Sequence, residues 1–554
     1  MDKANDNQAP EQGSIQESAT NVETTAIHED SNMPPYKQTD IAYAFIMPVI
    51  GFLFVRYVFF LSSLGAAVFT VIFFAAVTIW MRGCGCKMAL PEYICLTVGL
   101  ALGGVLYYSD NYDIRVNALF LLMILVIYYI TSVAGARIAA RLGHFLPLDM
   151  LYAALVTPFV SFVMLPRVLT SNARRSGNFS NVLFSLLGTV LAVPVLLRLA
   201  LTLVSADAAF ESAFQEFYWR VMETYPIRCF QLVISIPVTL YLYGLVFGSM
   251  RRDKPRLTPE RADELLERTR ILPPTLTLGF ITPIVLLYLV FCFTQRAYFF
   301  SAFNSELPTG FSYAEYARRG FFELCGVSAF NICMVLVLMY LTRHGEGLRV
   351  FKVYSLVFCL LSIVFIAIAL SKMFMYIQNY GLTPKRLYTS VFMIFLTGCF
   401  LLLIITVFRR GEKGFESDGL IRGAVLLGVT LFLLLCYVNP SALIARVNYD
   451  EYKNEEIYPL DVELLLQLDS GATPVILEIW DDVMNDRVFL RASDWRKVDT
   501  RVTNWMHTYR QLYEPQGDDE TYRYGYTNHW EEVNYSHSHQ WKVIGVLAAR
   551  AMRY

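Results

Sequence analysis

Val353–Ser371 reads VYSLVFCLLSIVFIAIALS, and Leu387–Phe408 reads LYTSVFMIFLTGCFLLLIITVF; neither contains an Asp, Glu, Lys or Arg. A bilayer core about 30 Å thick takes roughly 20 such residues of helix to cross. Outward from these two, the pattern repeats. Uncharged runs also cover Tyr57–Met81, Tyr93–Ser109, Val116–Ala136, Ser176–Leu197, Cys229–Met250, Ile271–Gln295, Leu324–Thr342 and Gly423–Ala445. Ile41–Val55 is shorter but continues past Arg56 into Leu61. Charged residues make up only 17% of the chain and the mean hydropathy is +0.44. The fold class that follows is an all-α polytopic membrane protein, whose outward side chains meet lipid rather than a water-excluding core.

Lys and Arg collect on the cytoplasmic ends of membrane helices. Arg82 with Lys87, Arg137 with Arg141, Arg251–Arg256, Arg343 with Arg349 and Lys352, and Arg409–Lys413 therefore mark inside links. The acidic link Ser109–Asp113 falls outside. Met150–Pro166 has basic flanks on both sides, so it reads as re-entrant or interfacial. This gives about eleven transmembrane helices, within a range of about ten to twelve. With eleven, the N-terminus lies in the cytoplasm and the C-terminal part outside it; if Met150–Pro166 also crosses, there are twelve and the C-terminal part is inside. Pro48, Pro194, Pro237 and Pro283 fall within runs, where each removes a backbone donor. Three regions follow: an acidic, disordered tail over 1–40, a helical bundle over 41–438, and a small soluble domain, mostly helical, over 439–554. In the last, Leu460–Leu468 and Asp494–Tyr513 have helical spacing, Thr473–Ile479 fits a strand or a buried helix, and Glu514–Tyr526 fits a loop.

A net charge of −1 leaves no basic surplus for nucleic acid. Cys84 and Cys86 read as plain thiols at a helix end. His529, His537 and His539 fit no metal template. No phosphate loop, zincin, nucleophile elbow or kinase motif is present, so no cofactor and no catalytic residue is assigned.

The densest chemistry lies at 308–325. Tyr313, Glu315, Tyr316, Arg318, Arg319 and Glu323 meet there at a membrane boundary. On a helix, Arg319 is four residues from both Glu315 and Glu323, so each pair can form. The segment reads either as a site for an anionic or polar ligand or as an interfacial elbow closed by its own ion pairs. Within spans, Arg56, Glu92 and Lys372 are the ionisable residues to follow, and Arg56 with Glu92 is one possible pair.

Several strings also carry a resemblance. GTVLAVPVLLRLALTLVSADAAF, TQRAYFFSAF, SYAEYARRGFFEL, MFMYIQNYGLTPKRLY, VNPSALIARVNYDEY and LDVELLLQL follow in this order over roughly 180–475. The chain resembles the bacterial multi-pass membrane proteins grouped as domains of unknown function 4153 and 4173. That resemblance implies a bacterial cytoplasmic membrane and no established reaction. It directs attention to 309–323 and to the Asn439-Pro440 junction. Beyond the lipid bilayer, an envelope or signalling protein partner is an open expectation. The first functional reading is a transporter or permease, because kinked spans that enclose ionisable residues are costly without a polar path; the alternatives are a membrane sensor whose outer domain binds a ligand or partner, and an enzyme acting on lipid or envelope substrates.

Overall fold

The computed structural model describes residues 36–137, 146–175, 226–251, 271–303, 321–342, 348–409, 418–455 and 459–513, with a few isolated positions elsewhere. Helix α1, Gln38–Leu53, continues into one π-helical turn, Phe54–Phe59. Then come α2 (Ser63–Gly83), α3 (Leu90–Tyr108) and α4 (Tyr112–Val133). The short helices α5 (Leu146–Leu155), α6 (Thr157–Val160) and α7 (Met164–Arg175) precede α8 (Pro226–Met250). The chain continues through α9 (Pro274–Phe303), α10 (Phe321–Leu341), α11 (Leu348–Tyr380), α12 (Pro384–Arg409) and α13 (Asp418–Val438). After Asn439 come α14 (Pro440–Lys453), α15 (Val462–Gln467), α16 (Thr473–Met484) and α17 (Ala492–Tyr513).

Among the described residues, nine helices are long and apolar enough to cross a membrane. Pro48, Pro237 and Pro283 lie inside helices that continue past them; Pro194 and the Ser176–Leu197 run fall outside the described residues. Met150–Pro166 is divided among α5, α6 and α7, each shorter than the roughly 20 residues a crossing needs.

The bundle has two apolar cores. The first gathers side chains such as Met47, Phe74, Trp80, Leu106, Tyr129 and Tyr243 from α1–α4, α7 and α8. The second gathers Ile281, Val335, Phe358, Phe365, Met393 and Phe400 from α9–α12. Helix α13 belongs to both: Cys436 enters the first core and Leu420 the second. Its contact with α3 depends on a missing side chain. A Cβ on Gly104 would stand 2.6 Å from the Tyr437 hydroxyl, which donates to Ala101 O at 2.8 Å. Small residues permit close helix approach in lipid, where no hydrophobic force draws helices together.

Contacts between links sort the helix ends. Lys37 Nζ donates to Cys84 O at 2.8 Å and Arg251 pairs with Asp40 at 2.8 Å. The start of α1, the end of α2 and the end of α8 therefore share one end of the bundle. Arg137 stands 3.6 Å from Glu92, so the end of α4 and the start of α3 lie there too. Leu272 bridges to Thr342, which brings the start of α9 to the end of α10. At the opposite end, Asn111 Nδ2 donates to Asp469 and Leu382 N donates to Asn448. The α3–α4 link, the α11–α12 link and the C-terminal helices therefore meet. Arg137 and Pro226 stand at opposite ends of the bundle.

Residues after Asn439 enclose a third core, with Tyr449, Leu465, Ile476, Ile479, Val498 and Val502 buried. The Leu460–Leu468 pattern becomes α15, whose N-cap Asp461 accepts from Leu464 N at 3.0 Å. Thr473–Ile479 is helical, within α16: Pro474 takes its first turn and the apolar side faces the core. Asp494–Tyr513 falls within α17. Glu514–Tyr526 and the three C-terminal histidines lie outside the described residues.

Candidate functional site

Several ionisable residues in or beside the spans are tied to partners. Glu92 is 6% exposed in the first turn of α3. Its carboxylate accepts from Ala89 N at 2.9 Å and from the Ser132 hydroxyl. Arg137 donates to Ser132 Oγ at 2.7 Å and to the Tyr128 hydroxyl at 2.8 Å, closing the group. Glu92 is therefore answered by Arg137 and not by Arg56. Arg56 sits near the far end of its span, in the π-helical turn, with its guanidinium 5.4 Å from the Tyr57 ring centre. Lys372, on α11, lies within electrostatic reach of Glu323 in the first turn of α10. Tyr313, Glu315, Tyr316, Arg318 and Arg319 lie outside the described residues.

Asp40 forms a second buried group. Grouped by sequence with the acidic tail, it belongs to the first turn of α1 and is 1% exposed. Its carboxylate accepts from Lys37 N at 3.2 Å, Trp80 Nε1 at 3.3 Å and Arg251 at 2.8 Å. Trp80 stacks on Tyr43 at 4.9 Å and contacts the Tyr243 ring at 5.2 Å. Cys84 Sγ stands 3.6 Å from the same carboxylate. Burial pushes the Cys84 and Cys86 thiols up, away from the thiolate form that metal ligation and redox exchange require.

The third group joins the C-terminal helices to the bundle. Asn439 adopts φ 57°, turning the chain sharply as it leaves α13, and its side chain caps α14 by accepting from Ala442 N at 3.3 Å. Helix α14 then runs across the links. Nine residues on, about 14 Å of helix, Asn448 offers its amide to the α11–α12 link. Leu382 N donates to Asn448 Oδ1 at 2.5 Å, and Asn448 Nδ2 donates to Leu382 O at 2.9 Å. Gly381 makes this approach possible: its φ is +72°, and a Cβ would stand 2.7 Å from Asn448 Oδ1.

At the other end of α14 the α3–α4 link is held reciprocally. Asn111 Nδ2 donates to Asp469 Oδ2 at 3.0 Å, while Ser470 N donates to Asp110 Oδ2 at 3.1 Å. Each carboxylate is bonded by the residue that follows the other. Gly471 N also donates to Asp469 Oδ1 at 3.0 Å, and a Cβ at Gly471 would collide with the Asn439 side chain at 2.3 Å. Burial, then the nearby Asp110 carboxylate, hold the Asp469 carboxyl above the usual carboxylate range, against hydrogen bonds from Ser441, Asn111 and Gly471.

Two further features complete the inventory. A cavity of about 50 Å³ beside the π-helical turn is lined by apolar side chains, Phe54, Phe69, Phe73 and Leu242 among them, with Thr70 the one polar neighbour. On the C-terminal helices, Ser493, Arg496, Lys497, Thr500, Arg501 and Asn504 line an open groove along one face of α17. Lys497 there pairs with Glu463 at 3.2 Å and Arg501 donates to Leu466 O at 3.2 Å.

Sequence reasoning found Glu92 and the Asn439-Pro440 junction but missed Asp40, Asn448, Asp110 and Asp469. Asn448 had no local signal, because its partner lies 66 positions away. For Asp469 the one cue was its place before Ser-Gly, a common cap position, which says nothing about Asn111.

These helices and buried polar groups define an all-α, multi-pass membrane protein. The chain belongs to the family described as Domain of unknown function (DUF4153), whose model matches residues 96–479. The match includes both faces of the junction, from Asp110 and Asn111 to Asp469 and Ser470, and leaves Asp40 and Glu92 outside it. No curated protein and no solved structure matches the chain.

Proposed function

We propose that this protein is a membrane sensor or signalling component, in which the C-terminal helices form an extracytoplasmic domain that reports to the bundle. The observation that carries this reading is the double attachment of the C-terminal helices. Asn448, on α14, bonds the α11–α12 link, and Asp469 with Ser470, between α15 and α16, bonds the α3–α4 link. A ligand that moves these helices acts on links from both cores at once. The α17 groove, with three cations on an otherwise acid-rich tail, offers such a ligand an anion-accepting surface. A transporter is the second reading, favoured by the two separate cores meeting through α13. It loses ground because Glu92 and Asp40 are closed by Arg137 and Arg251.

Eleven crossings fit this arrangement. The basic end is then cytoplasmic, in a bacterial inner membrane. Single cysteines at 415 and 500, in a chain without other reactive thiols, check this. An impermeant thiol reagent should label 500 and not 415 in intact spheroplasts; equal labelling of both would rule the threading out.

The functional reading predicts a transcriptional response. Cells carrying Asn448→Ala at wild-type membrane levels should change expression of envelope genes. Proteoliposomes containing the same variant should show the same solute permeability as wild type. An unaltered transcript profile together with altered solute flux would reverse the order of the two readings.

A further inference from the structure

We propose that Asp110 and Asp469 form a proton-operated latch: the pair holds one proton while the C-terminal helices are docked, and gives it up to solvent as they release. The geometry comes first. The two reciprocal bonds, Asn111 to Asp469 and Ser470 to Asp110, draw two carboxylates together at the seam between the α3–α4 link and the C-terminal helices. The donors on both are neutral amides, with Ser441 adding a hydroxyl to Asp469. The Ser470 hydroxyl is buried at the same seam, in a residue 9% exposed, and makes no hydrogen bond. A proton on one carboxyl turns it into a donor and removes half of a like-charge contact.

Other charged and titratable groups face the seam from each packed element. From α4, Arg115 lies within electrostatic reach of Asp110, with its guanidinium committed to Leu61 O. From α12, Tyr388 lies within reach of Asp469 and of Asp113. Among the described residues Arg115 is the cation near the pair, and its field falls on Asp110.

The direction of the switch follows from the raised Asp469 carboxyl. A released domain returns Asp469 to water and to its ordinary value of about 4. Docking therefore takes up a proton at pH values above this, and the stabilisation is complete below it. It is lost as the pH rises through the raised, docked value. Acidification tightens the latch and alkalinisation loosens it.

The latch deepens the sensing reading by naming acidification as one stimulus, and rests on that reading for its purpose. Its test needs only the purified full-length protein in nanodiscs. The amide hydrogens of Ser470 and Gly471 are the donors at the seam, so their exchange, corrected for the chemical pH dependence of exchange, reports docking directly. Between pH 4.5 and 8, protection in the wild type should fall with rising pH, by at most about tenfold per pH unit for one linked proton. Asp110→Asn should give a shallower slope and Asp110→Asn with Asp469→Asn a flat one. A flat wild-type profile, or a double variant that keeps the wild-type slope, would overturn the latch. Should the double variant not fold, an undiminished slope in folded Asp110→Asn overturns it equally. Exchange in nanodiscs and transcription in cells are separate readouts, so either proposal can fail while the other stands.

Discussion

Replacing Asp40 by alanine should destabilise the bundle by about 2–4 kcal/mol, from buried donors that lose their acceptor at about 1–3 kcal/mol each. The carboxylate holds Lys37 N, Trp80 and Arg251, and so joins α1, α2 and α8 at one end of the first core. Alanine takes the acceptor from the buried indole N–H of Trp80 and removes the carboxylate that Arg251 meets beside the rings of Tyr36 and Phe247. Thermal unfolding in detergent should show the loss. Asp40→Asn keeps an acceptor and should cost less. If Asp40→Ala unfolds within a degree of wild type, the group contributes nothing and the packing of α1 on α8 must rest on apolar contacts alone.

The second large effect is local rather than global. Asn448→Leu should leave both the N–H and the C=O of Leu382 buried and unpaired, at about 1–3 kcal/mol for each. The apolar cores of the bundle do not include Asn448, so they should survive. The expected result is an unchanged bundle with the C-terminal helices loosened from the α11–α12 link. Amide exchange at Leu382 should rise, and cleavage of the C-terminal helices by added protease should become faster. Asn448→Asp keeps the acceptor for Leu382 N but sets a carboxylate against Leu382 O, so it should fall between wild type and leucine. Unaltered exchange at Leu382 in Asn448→Leu would show that α14 is held by other contacts, and would remove half of the basis for coupling the C-terminal helices to the links of both cores.

Hydropathy alone located most of the crossings, since about 20 uncharged residues in a row satisfy a bilayer wherever the chain goes next. The caps at Asp461 and Asn439 act on residues within three positions, so each interaction is contained in local sequence. The site was less legible. Glu92 stood out as a charge at the edge of an apolar run, and Arg56 was one possible partner; the structure gives it Arg137 instead, because charge identity does not reveal which end of the bundle a helix end occupies. Asp40 was hidden by its neighbours: an acidic residue following an acidic tail reads as tail, until α1 begins at Gln38 and buries it.

By itself the amino-acid sequence determined that lipid surrounds most of this chain, where its helices run and which links carry positive charge, because each of these depends on neighbours in sequence and on transfer from water to hydrocarbon. Only the tertiary structure decided that the crossings form two cores sharing α13, that Arg137 and Arg251 neutralise Glu92 and Asp40, and that the C-terminal helices tie the far links together. Those pairings span 45 to 360 positions of chain. They exist because packing brings distant ends together, and no periodicity or local propensity records that.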